Sequence, residues 1–310
     1  MLECAHLLSK TGKNLLAHDL RLPSPNGRTR MDYISSDLID YDRYPINRPG
    51  PGRDALIERV RADLADDGCA VLKRFLTAQG VAALVSEADG VAPKGHRSFN
   101  RTNAYFTKDD PSLPASDPRR QFFDRSNAFV PADNFRKGGP LRTIHDSMGF
   151  DGFIQDCLEE TKFHRYADPL ADVIVNLAEE GNGFPWHFDT NNFTVTIAIQ
   201  NAEAGGAFEY APHIRKGDEN FAEVARVLDG TSDLIKVLNL EPGDLQIFRG
   251  RYSLHRVAPL VGARPRYVAI FSYVEEANMV GAPERTLQLY GRTLPIHHER
   301  AGQRADAYLD

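Results

Sequence analysis

In the stretch Trp186-His187-Phe188-Asp189 an imidazole and a carboxylate stand two positions apart, just before the alternating run FTVTIAIQ at 193–200. At the edge of a β-strand that spacing puts both side chains on one face, as two metal ligands or as a surface pair. Spacing alone decides little. With 10 histidines and 43 acidic residues in 310, chance supplies roughly 1.4 His-x-acid pairs, and the chain has two, His187/Asp189 and His297/Glu299. Context separates them. His187 and Asp189 border β-rich sequence, and a third candidate ligand, His255, follows in PGDLQIFRGRYSLHRV at 242–257, where a Pro-Gly-Asp turn opens a new strand. The pair at 297–299 falls in a polar C-terminal tail and is expected in solvent.

Two histidines and one carboxylate form the facial set typical of non-haem Fe(II), with three coordination positions left open. A co-substrate filling two of them needs an anchor of its own. Arg266 opens RYVAIFSYV at 266–274, and its guanidinium fork suits a carboxylate. Arg264 is the other candidate, but it precedes Pro265 and reads as a turn residue. Arg251 and Arg256, beside His255, read as salt-bridging residues. Thr196 and Asn176 hold strand positions from which a buried polar group bonds either a co-substrate or a neighbouring strand. Candidates for substrate contact are Trp186, the sole tryptophan, for which core packing is the safer reading; Thr190, next to Asp189; Ser272, which shares the parity of Arg266; and Tyr290 in TLQLYGRT.

These residues must be positioned by a β-rich second half. Short runs such as ADVIVNLA, GGAFEYAP and DLIKVLNL follow one another with Gly, Pro and Asn between them, and only residues 218–230 interrupt with a helical piece. That pattern predicts a sandwich or barrel. Residues 53–165 predict a helical layer: RDALIERVRADLADDG spaces Leu56, Val60 and Leu64 by four and stops at Gly68, and Thr77 is a candidate N-cap for a second helix. The long polar segment 91–140 reads as a lid or as a loop with short elements of its own. Residues 1–52 read as an irregular arm, 166–275 as the core, and 276–310 as a C-terminal segment of one domain.

Composition is that of an ordinary globular protein, with 42% hydrophobic and 26% charged residues and a net charge of −6. It gives no reason to expect a nucleic-acid or membrane partner, and oligomeric state is open. Three separated cysteines, Cys4, Cys69 and Cys157, without a CxxC, suggest free thiols in a reducing cytoplasm.

On the segments ADPLADVIVNLAEEGNGFPWHFDTNNFTVTIAIQ, GGAFEYAPHIR and PGDLQIFRGRYSLHRV, the chain resembles the Fe(II)/2-oxoglutarate-dependent oxygenases. It is most similar to the branch of free-amino-acid radical halogenases and their hydroxylase relatives. The resemblance covers residues 167–275 well, the helical half loosely and the first 50 residues hardly at all. It implies a double-stranded β-helix (jelly-roll) core, mainly β with a helical N-terminal layer. It also implies Fe(II) on His187, Asp189 and His255, 2-oxoglutarate on Arg266 with Thr196 or Asn176, and O2 as oxidant. In the halogenases Gly or Ala replaces the carboxylate ligand, whereas this chain has Asp189. That departure implies hydroxylation of an unactivated C–H bond in a free amino acid or similar small polar metabolite, with succinate and CO2 as co-products. Two other classes compete: a cupin-type metal enzyme without 2-oxoglutarate, which would have no use for Arg266, and a non-catalytic jelly-roll binding protein, which would not need an intact ligand set.

Overall fold

Runs that alternate every two residues become strands, and in the computed structural model the whole second half follows this rule. The structure describes residues 32–191, 193–300 and 309. Residues 1–31 of the expected arm, with Cys4, and most of the last ten residues lie outside the described residues. The strands are β1 (Cys69–Leu72), β2 (His96–Thr102), β3 (Phe123–Val130), β4 (His164–Arg165), β5 (Val173–Ala178), β6 (Phe184–His187) and β7 (Phe193–Gln200). They continue with β8 (Ala204–Gly205), β9 (Phe208–Ala211), β10 (Lys236–Leu238), β11 (Leu245–Phe248), β12 (Leu254–Val257), β13 (Leu260–Val261) and β14 (Arg266–Val274). The helices are α1 (Ser35–Leu38), α2 (Pro51–Asp67), α3 (Ala78–Val91), α4 (Pro140–His145), α5 (Phe150–Leu158), α6 (Phe221–Leu228), α7 (Pro283–Tyr290) and α8 (Pro295–Glu299).

Eight strands form one sheet in the order β1-β11-β7-β14-β5-β3-β2, with β4 also on β14, and four form a second in the order β10-β9-β12-β6. The pairings are antiparallel, as in a jelly roll. Strand parity divides the large sheet's residues between two environments. On β14, Tyr267, Ala269, Phe271 and Tyr273 join one apolar cluster with Leu56, Val60 and Leu64 of α2 and Phe150 and Phe153 of α5. Their alternates Arg266, Val268, Ile270 and Ser272 line a cavity. β5 does the same, with Val173 and Val175 towards the helices and Ile174 and Asn176 towards the cavity, as does β11 with Leu245 and Ile247 against Gln246 and Phe248. The helices thus cover one face of the sheet and leave the other to the site.

The helix signals in the sequence act as expected. Leu56, Val60 and Leu64 are buried on α2, and Gly68 ends it in the left-handed region at φ 62°. Thr77 Oγ1 accepts the Gly80 N–H at 2.9 Å, capping α3. The segment 91–140 has short elements of its own, the second of the two expected readings: β2 and β3 form a hairpin, and β3 joins β5 in the large sheet. The expected helical layer, residues 53–165, therefore also contributes β1 to β4. β2 is the edge strand, and its solvent-facing polar residues gave the segment the composition of a loop. No described helix is long and apolar enough to cross a membrane.

Candidate metal centre

β6 and β12 are neighbours, and their register places His255 directly opposite His187. The rings lie 4.1 Å apart between centroids. Each Nδ1 faces a backbone carbonyl, His187 that of Pro185 at 2.8 Å and His255 that of Ser253 at 3.0 Å. A carbonyl only accepts, so both Nδ1 atoms carry the proton and both Nε2 atoms present a lone pair, the arrangement of metal-bound imidazoles. Asp189 Oδ1 stands 3.6 Å from His187 Nε2 and 3.3 Å from His255 Nε2. Ligand atoms about 2.1 Å from one metal and at right angles lie about 3 Å apart, so a slight contraction completes the set. Among the described residues this is the cluster of acidic, histidine and cysteine side chains able to hold a metal ion.

Asp189 is held from three sides. Thr194 Oγ1 donates to Asp189 Oδ2 at 2.6 Å, the Asp189 N–H donates to the Gly250 carbonyl at 3.1 Å, and the buried Arg251 donates to the Asp189 carbonyl at 3.5 Å. A β-carbon at Gly250 would overlap Asp189 Oδ2, so glycine is needed there. Burial lowers His187 to about 3, with His255 pushing the same way. Burial alone would raise Asp189, but the two facing imidazoles outweigh it and hold the carboxyl below the usual carboxylate range. A neutral His187 beside an ionised Asp189 suits a cation, which takes a lone pair from the one and a negative charge from the other.

Other predicted residues share the cavity. Thr190, Thr196, Asn176, Arg266, Ser272 and Tyr290 all line it. Arg266 is buried, and burial is the sole influence on its guanidinium, pushing it down to about 10; among the described residues no acid approaches it. Arg264 is exposed and donates to the Ala202 carbonyl, so it is not the clamp. Thr196 Oγ1 donates to Gln246 Oε1 at 3.0 Å and Asn176 to the Ala128 carbonyl at 3.3 Å, so both already have strand partners. Arg256 bridges Glu209, as expected.

Trp186 takes its core reading rather than the substrate-contact one, and one expectation, for His297, fails. Trp186 does not line the cavity: adjacent strand residues face opposite ways, and beside His187 it turns into an apolar cluster with Tyr105, Phe188 and Leu254. A register shift between His255 and Val257 instead brings Phe184 onto the His187 face, where the rings stack at 3.9 Å. His297 is not in solvent. It is fully buried, its Nδ1 accepts the Leu294 N–H, and its Nε2 donates to Asp168 at 3.1 Å. α8 packs it inward while His298 and Glu299 remain exposed.

Sequence reasoning missed Phe106, Arg125 and Arg285, which line the cavity. Phe106 sits at φ 59°, rare for a bulky residue and worth about 1–3 kcal/mol of strain. Its ring lies 5.7 Å from that of His187 and 4.1 Å from the Arg285 guanidinium. Arg125 was hidden because β3 carried the composition of a loop, Phe106 lay in a segment, 100–110, that read only as part of a lid or as solvated loop, and nothing in the sequence marked Arg285 on α7.

The sequence profile of the family described as Halogenase D (HalD) matches residues 53–286. Among solved structures, the non-heme alpha ketoglutarate dependent carbocyclase SnoK from nogalamycin biosynthesis superposes with a TM-score of 0.52 at 13% identity, over 73% of this chain and 87% of that one. The epimerase SnoN from the same biosynthesis gives 0.51 at 14% identity, over 72% and 82%. At such identities the likeness is one of fold. A search of curated proteins finds no match.

Proposed function

The chain belongs to the Halogenase D family, and from that premise we propose that it is a non-haem Fe(II)/2-oxoglutarate-dependent oxygenase that hydroxylates an unactivated C–H bond of a small molecule. One observation carries the reading: a complete His187–Asp189–His255 set and the acid-free guanidinium of Arg266 line one cavity. A metal site without a co-substrate would leave Arg266 as a buried cation with no purpose. His187, His255 and Asp189 would hold Fe(II), and Arg266 the distal carboxylate of 2-oxoglutarate. Together, when bound, the two activate O2 and yield succinate and CO2. Thr194 keeps Asp189 aimed at the imidazoles, and Val268, Ile270 and Phe184 exclude water from the walls. The cavity of about 190 Å³ suits a small molecule; an engineered cavity of about 150 Å³ holds benzene.

Halogen transfer is the second reading, favoured by the family's name. Asp189 opposes it, because it supplies a third protein ligand at the position that the resemblance leaves to Gly or Ala in halogenases. The test is a panel of small acids and amino acids scored by substrate-stimulated succinate release, with products analysed with and without chloride. Hydroxylated product from the wild type in both conditions is expected, and Asp189→Gly loses most of it. Chlorinated product from the wild type would replace this reading with the second.

A further inference from the structure

The cavity contains a second guanidinium that the co-substrate does not explain. Arg125 on β3 is 3% exposed, and none of its three side-chain nitrogens has a hydrogen-bond partner. Its flat face is covered: the Phe184 ring lies 4.1 Å away and the Phe106 ring 5.3 Å. Stacking uses the face of a guanidinium and leaves its in-plane N–H fork free, the part that grips a carboxylate. Phe184 and Phe106 are also the rings against His187, so the fork stands one aromatic layer from the metal ligands. Arg285, stacked on the other side of Phe106, adds positive charge. A buried cation without an anion weakens the empty protein, and such groups in a cavity mark ligand sites.

Resting on the oxygenase reading above, we propose that Arg125 anchors the carboxylate of the primary substrate, and that this substrate is an organic acid with an apolar body. 2-Oxoglutarate has two carboxylates. One goes to the metal and the other to Arg266, so Arg125 calls for a third anion. Around it the cavity is walled by Phe129, Ile174, Phe184, Ile270 and Leu289. Outside the metal set, the acidic residue lining the cavity is Asp168, which already accepts from the Leu170 and Gly281 N–H groups and from His297. Its bonds are internal, so among the described residues no wall requires a substrate ammonium. This narrows the class implied by the family resemblance: a free amino acid brings a second charge that the cavity does not match.

The test uses Fe(II)- and 2-oxoglutarate-loaded protein without O2, with 4-methylpentanoate, phenylacetate, their primary amides and leucine as probes followed by saturation-transfer NMR. In the wild type at least one acid binds at least tenfold tighter than its amide and tighter than leucine. Arg125→Leu abolishes that preference, leaves the 2-oxoglutarate requirement unchanged, and keeps or raises the Tm of the empty protein, because an unpaired buried charge is gone. Arg125→Lys keeps part of the preference. Acids bound no better than amides in the wild type, including no binding of either, would overturn the anchor. So would an Arg125→Leu protein that keeps the acid preference, whether its Tm falls or its 2-oxoglutarate requirement rises. Leucine bound tighter than both acids would overturn the apolar body. The visible band formed with 2-oxoglutarate tests the oxygenase reading separately, since it needs no probe.

Discussion

Asp189 owes its aim to neighbours distant in sequence, and this separates what spacing reveals from what it hides. His187, His255 and Arg266 were legible because each occupies a strand position whose parity is fixed by the local pattern, and Asp189 because it follows two residues after His187 at the strand's end. Gly250 was not, since its need for a bare α-carbon comes from Asp189, a contact across the fold. Arg125 was hidden for a related reason: only the pairing of β3 with β5 turns it into the cavity. His187→Ala or His255→Ala is expected to abolish Fe(II) retention in a folded protein, read by metal analysis after gel filtration; normal iron content would refute the ligand set. Gly250→Ala should keep the fold but displace Asp189 and weaken Fe(II) by roughly 10–100-fold, as loss of a supporting contact does. Metal titration of the variant checks this, and wild-type affinity would show that Asp189 tolerates the β-carbon.

Among the elements, period-two runs in the second half were legible as strands and the four-spaced Leu56, Val60 and Leu64 as α2, because each pattern matches a face that is in fact buried. The misreadings fell at the margins. β2 is an edge strand with a polar outer face, and α8 buries one histidine in a tail that is otherwise polar. Both depend on what packs against them. α7 and α8 bring Tyr290 and Thr286 to the cavity and fix Asp168 through His297. His297→Ala removes one of Asp168's three donors and should destabilise the protein by about 1–3 kcal/mol, seen as a lower urea midpoint with iron binding retained. On the opposite face of the sheet, Phe271→Ala should cost about 3–5 kcal/mol by opening the helix-packed core. An unchanged midpoint in either variant would deny that element its packing role.

At the level of the whole molecule, the helices that brace the sheet also carry an acid sensitivity. His145 on α4 is fully buried against Phe271, and neither ring nitrogen has a partner. Burial, aided by the charges of Arg165 and Arg142, lowers it to about 2. Folded, it stays neutral, whereas the unfolded chain takes up a proton below about pH 6.5. Its contribution is therefore full above that pH and falls by about 1.4 kcal/mol per pH unit below it. His145→Leu should flatten the acid limb of stability by that slope, measured by urea unfolding between pH 7.5 and 5. An identical acid limb would show that His145 is protonated when folded. The fold as a whole exists to set two imidazoles, a carboxylate and an unpartnered guanidinium around one cavity. Anaerobic titration of the Fe(II)-loaded protein with 2-oxoglutarate tests that claim most directly. A visible charge-transfer band should grow in the wild type, need at least tenfold more 2-oxoglutarate in Arg266→Ala, and be absent in His255→Ala. No band in the wild type, or the same titration curve in Arg266→Ala, would contradict it.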